Sequence, residues 1–217
     1  MDTRLRQVIE EGDAGAVERL VREHPELADG DDEGVSAVLF ALYRRLEEIA
    51  RTLLGARSRP ADLFEAAALG LRDRVEHLLG AEPGPEVGAS APDGFTALHL
   101  AAYFGRPEVV RRLLAADAEV EAVAQNATQV RPLHSAVAGR SEAAVEALLA
   151  AGADPEARQA GGYTPLMGAA AGGSEPLVRR LLAAGADREA VNDNGETAAA
   201  VARSHGHSAI AALLAEG

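Results

Sequence analysis

The chain of 217 residues contains no cysteine, which excludes a disulfide framework, a thiol nucleophile and a thiolate metal site. It has no tryptophan and no lysine; all 21 basic residues are arginine, a bias of the kind a GC-rich genome produces. Only 3% of the residues are aromatic although 47% are hydrophobic, so alanine and leucine must do most of the packing. No apolar run approaches the roughly 20 residues of a membrane-crossing helix. The first residues, from Met1 to Gln7, lack the apolar stretch of a secretory signal. A soluble, cytoplasmic protein is expected. The net charge of -13 opposes the phosphate backbone, so nucleic acid is not an expected partner.

What is present is a repeat, and a period near 33 residues signals stacked small units. With Thr96 of Thr96-Ala97-Leu98-His99 as origin, Gly105 lies nine residues on, Val110 fourteen on, and Leu113-Leu114 seventeen and eighteen on. Thr164 repeats the set with Gly173, Val178, Leu181 and Leu182. Arg131 does so with Val145, Leu148 and Leu149, its glycine one residue early at Gly139, and Thr197 with Gly206 and Leu214. Weaker copies start at Thr3, Ser36 and Ala61, so seven units starting near residues 3, 36, 61, 96, 131, 164 and 197 form a single domain over 1–217.

Each unit reads as two short helices and a projecting turn. A Thr or Ser at the origin can cap the first helix, and a following Pro suits its first turn. A glycine nine residues on supplies the left-handed residue that ends it. The second helix, as in Pro107 to Leu114, has an apolar stripe opposite its arginines. It exits at Gly152-Ala153-Asp154 or Gly185-Ala186-Asp187, and Asp193-Asn194-Gly195 is turn chemistry. An all-α solenoid follows.

These residues resemble the ankyrin repeat family, in a bacterial-type array of about seven repeats. The Thr164-Pro165-Leu166 and Thr96-Ala97-Leu98-His99 tetrapeptide, the glycine at offset nine, the paired leucines and the Gly-Ala-Asp exits carry the resemblance over essentially the whole chain. Arg131 departs from the capping Thr, and Asp117 from the exit glycine, where Asp tolerates a left-handed backbone. The degenerate first and last units suit capping repeats. The resemblance implies stacked helix-turn-helix units, a non-enzymatic protein-binding role, and structural histidines at His99 and His134 that hydrogen-bond the neighbouring turn.

It also implies that partners dock on a concave side, at positions just before the origin and seven to eight residues after it. Here those positions hold Tyr43 and Arg44, Phe95, Tyr103 and Phe104, and Tyr163. Five of the seven aromatics therefore lie where packing within a repeat does not require them, and aromatics and arginine are the usual interface anchors. Spacing adds to this. The interval from Ser36 to Ala61 is 25 residues, too short for a projecting finger, whereas 35 residues separate Thr96 from the origin on either side. The expectation is a missing finger between units two and three, long fingers around unit four, and a concave groove interrupted near Tyr43 and deepest near Tyr103.

The acidic run from Asp29 to Glu33 lacks the order of a calcium loop and reads as a solvated turn tip. His205 and His207 lack a third ligand nearby, and the Gly161-Gly162 and Gly172-Gly173 pairs lack the lysine of a phosphate loop. No enzyme, metal site or cofactor is expected. A monomer that binds another protein is the main reading; a small-molecule or enzymatic pocket around Tyr103, and structural self-association, are the alternatives.

Overall fold

A computed structural model describes residues 1–216. Its helices follow one another in consecutive pairs: α1 (Thr3–Glu10) with α2 (Ala14–Glu23), α3 (Ala37–Tyr43) with α4 (Glu47–Ala56), α5 (Leu63–Leu69) with α6 (Arg72–Leu79), and α7 (Ala97–Tyr103) with α8 (Pro107–Leu114). The series continues with α9 (Pro132–Ala138) and α10 (Glu142–Ala150), α11 (Pro165–Ala171) and α12 (Glu175–Ala183), then α13 (Ala198–Ser204) and α14 (Ser208–Ala215). The first helix of each pair packs on the first helix of the next from α3 to α13, which is the stacking of a helical solenoid. Among the described residues the only sheet is a minimal antiparallel hairpin of β1 (Asp31–Asp32) and β2 (Val35–Ser36).

The turn within each pair keeps time more strictly than the amino acids do. The residue nine after each expected origin is left-handed throughout, from Gly12 (φ 70°) to Gly206 (φ 83°). Two are not glycines: Arg45 (φ 61°) and Arg140 (φ 60°). The early glycine of unit five is thus not its left-handed residue, because Gly139 has an ordinary helical φ of -72°. Gly139 is small for another reason: a Cβ there would come within 1.9 Å of the Tyr103 carbonyl oxygen.

Helix starts follow side-chain capping. Ser36, Thr96, Thr164 and Thr197 accept backbone N–H bonds as expected. In two units the cap is shifted by one residue. Asp2 rather than Thr3 caps α1, and Asp62 rather than Ala61 caps α5, because a carboxylate was available next to each origin. Arg131 has no capping oxygen for the N–H groups of the first turn; its own backbone N–H donates to His134 Nδ1 at 3.3 Å, as the Thr96 N–H does to His99 Nδ1. Asp117 is left-handed (φ 63°), matching the role of the exit glycines Gly152 and Gly185.

The short interval after Ser36 leaves only residues 57–62 between α4 and α5, with no strand or hairpin. Its neighbours close over the missing finger. The Pro92 side chain lies 2.8 Å from where a Cβ of Gly34 would stand, so the finger before unit four touches the finger before unit two. Behind it, Arg57 and Glu65 pair with both side chains fully buried, and Asp29 accepts from Arg57 Nε (3.2 Å) and from the Ser58 hydroxyl (2.6 Å). Asp29 therefore does not belong to a solvated tip. The Ser58 hydroxyl, offset in part by burial, holds its carboxyl below the usual range.

The buried apolar residues form two clusters that meet at this gap. One runs from Leu5 to Leu53 and adds Ala68, Leu69 and Leu100; the other runs from Ala61 to Leu214. Polar ties cross the boundary: Arg106 donates to Glu47 Oε2 (2.7 Å) and to the Ala68 carbonyl (2.9 Å).

Candidate functional site

The closing of that gap brings unit two against unit four. Tyr43, the last residue of α3, reaches Tyr103 and Phe104 at the end of α7, with ring centroids 6.5 and 5.7 Å away, while Tyr103 and Phe104 meet edge-on at 5.0 Å. The Tyr43 hydroxyl donates to Asp93 Oδ2 at 2.6 Å. Burial, reinforced by that carboxylate, raises the Tyr43 pKa far above its ordinary value and keeps the phenol protonated.

Between these rings and unit five lies a pocket of about 300 Å³. It is lined by Tyr43, Phe95 and Tyr103, by Thr128 and Val130 of the next finger, and by Ser135 and Ala138 of α9. Gln159, from the following finger, also lines it. The structure thus gathers three of the six anticipated contact residues around one cavity, and Phe104 backs them. All four are half-buried, neither exposed patch nor full core. Tyr43, expected at an interruption of the groove, lines the cavity together with Tyr103.

Arg44 and Tyr163 lie elsewhere. The Arg44 guanidinium stacks 4.0 Å over the Phe40 ring and pairs with Glu10 at 3.0 Å. Tyr163 packs against the larger core cluster, and its carbonyl accepts from His134. Ser135, Gln159 and Asp93 escaped notice in the sequence. They are ordinary polar residues whose proximity comes from the stacking of separate units.

His99 and His134 also border the pocket, yet neither has a free nitrogen. His99 Nε2 donates to the Val130 carbonyl (3.0 Å) while its Nδ1 faces Thr96; His134 Nε2 donates to the Tyr163 carbonyl (3.2 Å) while Nδ1 accepts from Arg131 N–H. Burial pushes both pKa values down, His134 to about 4. Both rings are therefore neutral struts between one unit and the next finger. His207 makes the same kind of tie to the Ala171 carbonyl at 3.1 Å. Among the described residues no group of three or more His, Asp or Glu could hold a metal ion, and no helix is long and apolar enough to cross a membrane.

The depressed pKa has a consequence for stability. The unfolded chain, with His near 6.5, takes up a proton before the folded one as pH falls, so the contribution of His134 is complete above about pH 6.5 and is lost down to about pH 4. Between pH 7.5 and 4.5 the loss attributable to this residue is about 2 kcal/mol. Chemical unfolding of the wild type and of His134→Gln at both pH values should show that difference; equal pH slopes would contradict it.

A family model for ankyrin repeats in three copies matches residues 63–159 and 141–217, well over half of the chain. The chain belongs to the ankyrin repeat family, whose repeats are in general protein–protein interaction modules. The matched region begins at α5, just beyond the missing finger. The chain is also similar to the "Probable E3 ubiquitin-protein ligase XBOS31" of Oryza sativa subsp. japonica, 38% identical over 87 residues, which is 40% of this chain and 19% of that protein. The chain thus matches only about a fifth of that relative's length.

Proposed function

We propose that this protein is a monomeric, non-catalytic module that binds another protein in the angle between its fingers and inner helices, with Tyr43, Phe95 and Tyr103 as the contact wall. The observation that carries the reading is the pocket itself, to which Tyr43, Phe95 and Tyr103 contribute half-buried aromatic side chains. The ligase chemistry named for the rice relative is not carried over, because the shared segment is a small part of that protein. Self-association has less support: among the described residues the exposed large apolar ones are Val123 and Val191, single side chains and not a patch.

Affinity capture from the native lysate tests this, with Tyr103→Ala as the control. The variant should lose the partner while keeping its helical circular dichroism, since truncating an interface anchor costs at least about 2 kcal/mol of binding. Phe104→Ala is the poorer control, because Phe104 packs against the N-terminal core cluster. Undiminished capture by Tyr103→Ala would end the assignment of this surface.

A further inference from the structure

The pocket's chemistry is more selective than an apolar dent. Ser135 is only 6% exposed, yet its hydroxyl makes no hydrogen bond among the described residues, and the Gln159 amide beside the cavity has none either. Two uncharged hydrogen-bonding groups are therefore available in an otherwise aromatic and aliphatic enclosure. No Asp, Glu or Arg lines it. The Asp93 oxygens near the rim are taken by the Phe95 N–H (3.2 Å) and the Tyr43 hydroxyl (2.6 Å). The Arg45 guanidinium already lies 5.9 Å from the centre of the Tyr103 ring. Asp93 keeps its negative charge, since both donors are neutral, but it does not line the cavity, and one face of Tyr103 already meets a cation.

Size narrows the occupant. A dry cavity of about 150 Å³ holds a benzene ring, so the pocket of about 300 Å³ has room for a fused bicyclic ring. We propose that the pocket receives the indole ring of a tryptophan from the partner protein, its N–H donating to the Ser135 hydroxyl and its faces meeting Phe95 and Tyr103. Indole is neutral, bicyclic and a single donor, which matches an aromatic and aliphatic lining with a few acceptors. This chain contains no tryptophan, so a second copy cannot supply it. The inference rests on the protein-binding reading above.

The same absence makes the test direct, because any tryptophan emission belongs to the probe. N-acetyl-tryptophanamide titrated with the protein should show a saturable fluorescence shift. Ala138→Phe, at an exposed position on the pocket wall, should fill the cavity and abolish the shift without touching the core. Ser135→Ala should weaken binding about three- to tenfold, the usual effect of one lost hydrogen bond. Choline should compete at least about tenfold less well than indole, since an aromatic cage for cations would reverse that order. Absence of saturation, binding retained by Ala138→Phe, or choline competing equally would overturn the proposal. The two readings can fail separately. A partner held by both wild type and Ala138→Phe but lost by Tyr103→Ala leaves the interface standing and removes the tryptophan; a bound probe with no captured protein assigns the pocket to free indole-like molecules and overturns the partner as its source.

Discussion

Arg57→Met should lower the unfolding free energy by about 3–5 kcal/mol, the cost of leaving a buried charge without its partner. The Glu65 carboxylate is fully buried, and Arg57 is the guanidinium that closes on it at hydrogen-bond range; the nearest Arg59 nitrogen is 3.9 Å away and belongs to a side chain half in solvent. Glu65 also accepts from the Asp62 N–H (3.2 Å) as half of a capping box, so its position cannot relax without uncapping α5. Arg57→Met combined with Glu65→Gln should recover most of the loss, because glutamine keeps the cap and removes the charge. The Arg57 Nη2 is buried without a hydrogen-bond partner, so the native pair is itself imperfect and an apolar replacement sacrifices little there. Denaturant titrations of the three proteins decide the matter. A single variant within about 1 kcal/mol of wild type would show that the pair does not hold the joint. Since the pair sits where the two apolar clusters meet, Arg57→Met is also expected to separate the transition into two steps, the N-terminal units opening first.

Gly139→Ala should destabilise the fold by about 3 kcal/mol, the upper end of the usual range for overpacking. Local reasoning gives the opposite sign. With φ -72° and ψ -11° the position is helical, and alanine in place of glycine there would by propensity gain up to about 1 kcal/mol. The new Cβ, however, would meet the Tyr103 carbonyl oxygen at 1.9 Å and its Cα at 3.0 Å. Those are backbone atoms, so no rotamer change relieves the clash; the ends of α7 and α9 must part. Tyr103 and Ala138 both line the pocket, so binding of the indole probe should weaken in parallel. Arg140→Gly is the companion measurement. At φ 60° it relieves a left-handed strain of about 1 kcal/mol and should be near neutral or stabilising. Alanine tolerated at 139 would mean that the two helix ends are not in contact in solution.

Position 139 shows how far a repeat can be read from one chain. The glycine was visible and its departure from the period was visible, but its reason lay 36 residues away on another helix. The left-handed turn stayed on the ruler at Arg140 because stacking fixes backbone geometry while a side chain only adjusts its cost. The shifted caps at Asp2 and Asp62 are smaller instances: any nearby oxygen that reaches the helix N–H groups serves. The aromatics were legible as residues the repeat does not need. That Tyr43, Phe95 and Tyr103 converge while Arg44 and Tyr163 do not was not legible, because convergence depends on the finger before unit four leaning into the space left after Ser36.

By itself the sequence determined the helical solenoid and the short connection after α4, since those follow from capping, glycine placement and apolar spacing, all of them local. Only the tertiary structure decided that the missing finger is closed by a buried Arg57–Glu65 pair, and that the closure makes a neutral pocket from units two, four and five. Both depend on side chains distant in sequence meeting where water is excluded, and no period along the chain encodes such a meeting.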